Sequence, residues 1–319
     1  MIYRQPQIGP IKLDPANPLV KGIVGAWSYY DYNTGAVLDL SGQGNSGTLN
    51  GGPPLVTSTR GQSLSFNGSS QYLSYSLPGS LSGTYTVSAW VNPSTLSSAN
   101  TFLSTRDFAD HGFDVKLQSG TGVHADIGDG TSWLSTAADA SFSYSVNTWY
   151  HIVYVVTTTG YTIYANGLQV GSGTFAGTPL LWDSSRILKI GYVGAVAGIE
   201  YFSGLIGDVL LYSRALSAGD VLRLYNNPWQ IYNSPKRNIL VRAAGGVTVA
   251  LTGQASTFAA GALAITESEA LIGQASSFAV GTMTPSTIPV VTAALSGQVA
   301  SFAAGAMAIT AAPAISGQA

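Results

Sequence analysis

Between residues 147 and 173 the chain reads NTWYHIVYVVTTTGYTIYANGLQVGSG, and apolar and polar positions alternate there with the period of a strand. Trp149 to Thr157 and Tyr161 to Tyr164 are rich in β-branched and aromatic residues, with Thr158, Thr159 and Gly160 between the two runs. Tyr161, Ile163 and Ala165 alternate with Thr162, Tyr164 and Asn166. Asn166 and Gly167 both tolerate positive φ, so the pair fits the type I′ turn of a tight hairpin. Leu168 and Val170 then alternate with Gln169. The pattern predicts three consecutive antiparallel strands.

The same period recurs upstream. Val87, Ala89 and Val91 alternate with Ser88, Trp90 and Asn92, and Leu64 and Phe66 alternate with Ser63, Ser65 and Asn67. One-sided apolar strands of this kind suit two antiparallel sheets packed face to face. Helical spacing is confined to one place, where Val221, Leu222, Leu224 and Tyr225 follow Ser217 as N-cap, with Asp220 as its capping-box partner. Residues 1–22 carry Pro6, Pro10, Pro15 and Pro18 and no clear period, which predicts an extended arm. Residues 23–226 are then the main β domain. Residues 227–246 read as a linker that holds the last basic residues, Lys236, Arg237 and Arg242.

From residue 247 onward the composition changes. The only charges are Glu267 and Glu269, and a repeat emerges: LTGQASTFAAGALAIT from Leu251, LIGQASSFAVGTMTP from Leu271 and LSGQVASFAAGAMAIT from Leu295. A further ISGQA begins at Ile315, so the sequence stops in mid-repeat. Self-similarity at this spacing marks a modular array. Each unit predicts two short strands, one ending near Gly-Gln and one around the phenylalanine. One or two large residues per strand bury too little area to offset chain ordering, which costs roughly 1–2 kcal/mol per backbone residue. The segment is also too uncharged for a solvated linker. Burial against other chains, as an intertwined β-fibre or as strands added to a neighbour, is the expectation.

Several motifs together resemble the laminin-G-like, concanavalin A-like jelly roll. Trp149, Tyr150, His151 and Ile152 resemble its W-[YF]-H-[IV] strand, and IYANG (residues 163–167) the hairpin after it. GIVGAWSYYD (22–31), LDLSGQGNSGTLNG (38–51), GQSLSFNGSSQYLSY (61–75), TYTVSAWVNP (84–93) and RILKIGYV (186–193) are similar to the family's other landmarks, in order. FSGLIGDVLLYSRALSAGDVLRLY (202–225) is similar to its closing strand and helix. The resemblance implies an all-β, concanavalin A-like jelly-roll sandwich, here with an N-terminal arm and a C-terminal β-repeat module (247–319). The Gly-Gln-Ala repeats after a jelly roll further resemble decoration and fibre proteins of tailed phages.

Composition narrows the function. Charged residues make up 9% and the net charge is −2, which leaves no basic footprint for nucleic acid. There is no cysteine, so disulfides and thiolate metal sites are excluded. MIYRQPQIGP has no signal-peptide pattern, and no run approaches the ~20 apolar residues of a membrane helix. Synthesis in a host cytoplasm and residence in a virion are the expectation, with no membrane partner.

Catalysis finds little support. A glycosidase needs two carboxylates about 5–9 Å apart, but residues 23–226 hold one glutamate, Glu200, and no Glu-x-Asp-x-x-Glu pattern. Asp107, Asp110 and Asp114, and likewise Asp126 and Asp129, read as residues of polar loops. The three histidines, His111, His124 and His151, are scattered, and His151 reads as a sheet residue. No catalytic residue is assigned.

The resemblance implies a structural calcium ion where the Asp39–Asn45 loop meets Asp208, although Gly207 stands where the family carries an acidic residue. Trp133, Trp182 and Tyr201 lie in apparent loops and are the candidates for stacking on a sugar. The reading is a non-enzymatic structural component of a phage virion, a capsid decoration or fibre protein. Its partners would be copies of itself, as a trimer, other virion proteins and a host surface glycan. The alternative is a carbohydrate-binding adhesin module of a bacterial surface protein.

Overall fold

The computed structural model describes residues 12–28, 36–45, 47–96, 100–108, 111–195 and 198–233, and beyond them the strands Ile239–Arg242, Thr248–Leu251, Ala255–Ala260, Leu271–Ile272, Ala275–Val280, Leu295–Ser296 and Ala300–Ala303. The chain falls into two units, Met1–Pro235 and Lys236–Ala319.

In the first unit two antiparallel sheets face each other. The back sheet runs, in spatial order, Leu168–Thr174, Gly160–Ala165, Tyr150–Thr157, Tyr85–Pro93, Ser203–Tyr212, Gly61–Asn67 and Leu55–Ser58, with Ile23–Trp27 also on Ser203–Tyr212. The front sheet runs Trp133–Ser135, Gly122–Gly128, Phe113–Gln118, Asn100–Ser104, Leu188–Ile190, Tyr72–Tyr75, Gly47–Asn50 and Ala36–Val37. Ala140–Ser141 pairs beside Gly122–Gly128. The expected hairpins are present: Tyr150–Thr157 pairs with Gly160–Ala165, which pairs with Leu168–Thr174. Asn166 at φ 51° and Gly167 at φ 81° make the turn between the last two.

Alternation sets the core. Val87, Ala89, Val91, Ile152, Tyr154 and Val156 from the back sheet meet Leu73, Phe113, Val115, Leu117, Val123 and Ile127 from the front. Trp27 packs on Tyr75 at 4.4 Å between ring centroids. Gly47 permits this arrangement, because a Cβ there would overlap the Tyr75 ring.

A second apolar cluster covers the back sheet's other side. The helix Ala218–Asn226 lays Val221 and Leu224 against Val153, Leu210 and Tyr212. Ser217 and Asp220 form the reciprocal capping box at its N-terminus.

The domain takes in residues on both flanks that the sequence reading placed outside it. Asn17 caps the short turn Pro18–Val20, and Leu19 is 1% exposed. At the other end Pro228–Ile231 forms a 3-10 turn, and Trp229, Ile231 and Tyr232 are buried in the second cluster. Lys12–Leu13 pairs with Tyr232–Asn233, and Asn17 Nδ2 donates to Gln230 O at 2.8 Å. The described parts of the expected arm and linker are therefore joined to each other and to the core. The proline-rich start and residues 234–238 and 243–247 lie outside the described residues.

In the second unit the repeats pair with one another. Ala255–Ala260, Ala275–Val280 and Ala300–Ala303 form a parallel sheet in which Phe258, Phe278 and Phe302 are register partners. Leu271–Ile272 likewise runs parallel to Leu295–Ser296. Strands fall on either side of the Gly-Gln pairs that begin at Gly253, Gly273 and Gly297, as expected, and the fourth, at Gly317, lies outside the described residues. Thr248–Leu251 pairs instead with Ile239–Arg242, antiparallel.

Candidate functional site

The face of the front sheet turned away from the core carries a cluster of charged residues. In Phe113–Gln118 and Gly122–Gly128 the odd-numbered residues Phe113, Val115, Leu117, Val123, Ala125 and Ile127 point inward. That leaves Asp114, Lys116, His124 and Asp126 on the opposite face. Asp114 is the cross-strand partner of Asp126, and Lys116 of His124. Arg106, just beyond the strand Asn100–Ser104, reaches across both aspartates. Its Nη1 donates to Asp114 Oδ2 at 3.0 Å and to Asp126 Oδ2 at 2.8 Å.

The same guanidinium lies 4.7 Å from the centroid of the Trp133 ring. His111 meets that ring edge-on at 4.9 Å. Trp133 begins the outermost strand after a turn knotted by Asp129, whose Oδ1 accepts from Thr131 N and Thr131 Oγ1 at 2.7 Å and from Ser132 N at 2.6 Å. Gly128 lets the segment around His111 close in, since a Cβ there would strike the His111 carbonyl. Trp133, Arg106 and His111 thus form one half-exposed group at the sheet's edge.

The charges along this face are matched. Lys116 Nζ donates to Glu200 Oε1 at 2.8 Å, and Thr101 Oγ1 donates to Glu200 Oε2 at 2.6 Å. His124 lies between carboxylates, with Nδ1 2.6 Å from Asp139 Oδ1 and Nε2 3.3 Å from Asp126 Oδ1. Burial pulls its pKa down, but Asp126 and Asp139 outweigh this and leave it raised. Burial pushes the Asp114 carboxyl up to about 6, repulsion from Asp126 adds to that, and Arg106 works against both. Asp114 and Asp126 converge on one guanidinium nitrogen. A pair of glycosidase carboxylates must instead flank the bond being cleaved. As arranged, this is an ion-paired clamp that fixes Arg106 beneath Trp133.

The expected sugar-stacking residues are distributed differently from one another. Trp133 is on the charged face. Tyr201 is half-buried in a cluster with Tyr192 at 4.9 Å and Tyr72 at 6.4 Å between centroids. Trp182 is a correction. It is 5% exposed, belongs to the main core and donates its Nε1 to Pro78 O at 3.4 Å, so it offers no ring face to a ligand.

The calcium ligands also need correction. Asp39 Oδ1 accepts from Ala26 N and Ser41 N, and Oδ2 accepts from Ser41 Oγ and Asn45 N. Four donors fill the carboxylate's lone pairs. Asn45 is buried in the same loop and turns its amide N–H to Val24 O at 3.1 Å. Asp208 faces the Arg60 guanidinium at 3.7 Å, a cation that already pairs with this carboxylate. These residues do not fit a calcium ion. Among the described residues, no group of three or more acidic, histidine or cysteine side chains is arranged to hold a metal.

The sequence reading missed Asp114 and Asp126 by placing them in polar loops, and it did not single out Arg106. The signal was present in the alternation of FDVKLQ and GVHADI, where every second residue is apolar. His151 is the sheet residue it was expected to be: 1% exposed, bonded through Nε2 to Ser88 Oγ at 2.9 Å and stacked on Trp90.

Comparison with known proteins bears on the fold. Residues 67–222 match the family described as the concanavalin A-like lectin/glucanases superfamily. No curated protein sequence matches the chain. Among solved structures, domain 4 of AbnA, an extracellular GH43 arabinanase of Geobacillus stearothermophilus in complex with arabinotriose, is similar at 21% identity and a TM-score of 0.50, covering 64% of this chain and 98% of that one. The binding domain of Paraclostridial Mosquitocidal Protein 1 is similar at 16% identity and a TM-score of 0.52, covering 70% of this chain and 55% of that one. The receptor binding domain of botulinum neurotoxin C/D mosaic serotype gives 16% and 0.50, covering 70% and 54%. This chain therefore spans about half the length of the two toxin structures. Sheet order, core and family match agree on the fold: the first unit of this chain is an all-β, concanavalin A-like jelly-roll sandwich, of which residues 67–222 resemble that superfamily.

Proposed function

We propose that the jelly roll is a glycan-binding module and that the outer face of its front sheet, centred on Trp133, is the binding surface. The carrying observation is the half-exposed indole of Trp133, held by Arg106, which is itself fixed by Asp114 and Asp126. An indole face stacks on the C–H face of a pyranose, and guanidinium and carboxylate groups bond its hydroxyls. Fixing those groups before binding lowers the ordering cost that a shallow site must otherwise meet. The matched charges favour a neutral sugar over an acidic one.

The protein as a whole is read as a non-enzymatic structural component of a tailed-phage virion, a capsid decoration or fibre protein that displays this domain toward a host surface. What supports this is the chain's organisation, a β domain followed by stacked Gly-Gln repeats, together with the motif resemblance. An adhesin module of a bacterial surface protein would use the same binding face.

The experiment is a glycan array probed with the full chain and with Trp133→Ala. The chain is expected to select a set of neutral oligosaccharides, with linear arabinose oligomers among the first probes because one similar domain was solved with arabinotriose. The variant is expected to lose them. Equal binding by both proteins would overturn the site, and a blank array for the wild type would overturn the function.

A further inference from the structure

On the outer face of the front sheet, His124 bridges two carboxylates, one pinned and one shared. Its Nδ1 lies 2.6 Å from Asp139 Oδ1 and its Nε2 3.3 Å from Asp126 Oδ1. Asp139 belongs to a segment tied to both sheets. Ala138 and Ala125 exchange backbone hydrogen bonds at 3.0 and 3.2 Å, Tyr161 Oη donates to Ala137 O at 3.0 Å, and Tyr154 Oη donates to Ala138 O at 2.9 Å. Asp126 accepts on its second oxygen from Arg106 Nη1 at 2.8 Å, and that guanidinium lies 4.7 Å from the Trp133 centroid. Asp139, His124, Asp126, Arg106 and Trp133 thus form one series of contacts from the pinned segment to the indole.

Both carboxylate contacts of His124 can be hydrogen bonds only while both ring nitrogens carry protons, because a neutral imidazole has one N–H. Once a proton is lost, one nitrogen turns a lone pair toward a carboxylate oxygen. The remaining proton stays in the shorter contact, with Asp139, so the lone pair faces Asp126. The backbone around Asp139 is fixed, so Asp126 is the partner that turns, and Arg106 turns with it. The neighbouring strand adds Lys116, the cross-strand partner of His124, already engaged by Glu200, and Asp114, which shares Arg106 with Asp126. Tyr161, on the Asp139 side, has its pKa raised by burial and stays neutral in this range.

We propose that the protonation of His124 sets how firmly Arg106 is held beneath Trp133, so that this face binds its sugar more tightly while His124 is charged. His124 and Asp139 are positioning residues that act through Asp126 and Arg106. The two carboxylates raise the histidine's pKa despite its burial, so the charge is lost above the usual histidine range. Below about 6, Asp114 gains a proton and weakens its own hold on Arg106, which gives the affinity an acid limit as well. The effect on affinity rests on the glycan-binding reading, whereas the coupling of His124 to Trp133 does not.

The test follows the histidine-ring and indole N–H resonances of the full chain across pH, without sugar, in the wild type, Asp139→Asn and His124→Gln. The wild-type Trp133 signal should move with the midpoint of His124. Asparagine still accepts from Nδ1 but carries no charge, so Asp139→Asn should lower the His124 midpoint and shift the Trp133 midpoint by the same amount. His124→Gln should remove that step. Asp139 is exposed and the change to asparagine is isosteric, so this variant is expected to keep the wild-type fold. His111 meets the same indole edge-on. A Trp133 step that both variants leave in place would belong to His111 and overturn the proposal, and so would a Trp133 signal indifferent to pH. Calorimetric titration of a sugar selected on the array should then show affinity falling by about threefold or more as His124 loses its proton, with the fall at lower pH in Asp139→Asn. An affinity that ignores the His124 midpoint would overturn the regulation even where the resonances are coupled. A wild type that binds no sugar at any pH would overturn the glycan reading and with it the effect on affinity, and the shared midpoint would still support or refute the coupling.

Discussion

Arg60 carries its charge into a pocket of indoles. The guanidinium lies 3.2 Å from the Trp90 centroid and 5.9 Å from those of Trp149 and Trp229, with Asp208 at 3.7 Å. Burial lowers its pKa to about 10 despite Asp208, and burial raises Asp208 to about 7 despite Arg60. A carboxyl whose folded pKa lies above its unfolded value stabilises the fold below the unfolded value, and that contribution is lost as pH rises through the folded one. Asp114, at about 6, and the raised His124 have the same sign. Burial instead lowers His151 to about 3, so its contribution is present above about 6.5 and is lost as pH falls. Between pH 8 and pH 7 the first group dominates, and His151 begins to oppose it as pH nears 6.5. The denaturant midpoint is therefore expected to rise as pH falls across that window, and Asp208→Asn should flatten the rise. An equally steep rise in the variant would contradict the account of Asp208. Trp182→Ala, which empties a core position, should cost about 3–5 kcal/mol of stability, whereas Trp133→Ala should leave the melting temperature nearly unchanged. At this scale the sequence was a poor guide. LLWDSS and GDGTSWLS each set a tryptophan beside polar turn residues, yet one is in the core and the other on the surface, because burial depends on the facing sheet.

Elements were far more legible than single residues, because their cause is local. The run from Trp149 to Gly173 contains its own hairpin chemistry, and the strands form where the alternation places them. Gly167, at φ 81°, is the residue on which the second turn depends. Gly167→Ala should destabilise by about 1–2 kcal/mol, the usual cost of a Cβ in the left-handed region, measurable as a lower midpoint in urea. The domain's ends were not legible. Pairing between Lys12–Leu13 and Tyr232–Asn233 joins segments at opposite ends of the unit, and no local pattern announces it. A protein ending at Tyr225 loses the buried Trp229, Ile231 and Tyr232. Each such side chain is worth roughly 1.5–3 kcal/mol of burial. Thermal unfolding should show that truncation severely destabilised, while one ending at Pro235 melts cooperatively. Equal melting temperatures would show that the terminal segment contributes nothing.

At the scale of the whole molecule, the jelly roll presents two separate outer faces. The back sheet's outer side is filled by the capped helix and the 3-10 turn and is committed to stability. The front sheet's outer side carries paired charges around Trp133 and is the face that we propose for glycan binding. The repeats add parallel strands stacked within one chain. A repeat was visible from the Gly-Gln spacing, but which strands would become partners was not, because in-register stacking on the same chain and on another chain place identical demands on the sequence. The central claim, that Trp133 marks a glycan-binding face, is tested most directly by calorimetric titration of a neutral oligosaccharide selected on the array into the wild type, Trp133→Ala and Tyr201→Ala. Saturable binding that Trp133→Ala weakens at least tenfold and Tyr201→Ala largely preserves is the predicted result. Wild-type affinity in Trp133→Ala would contradict it.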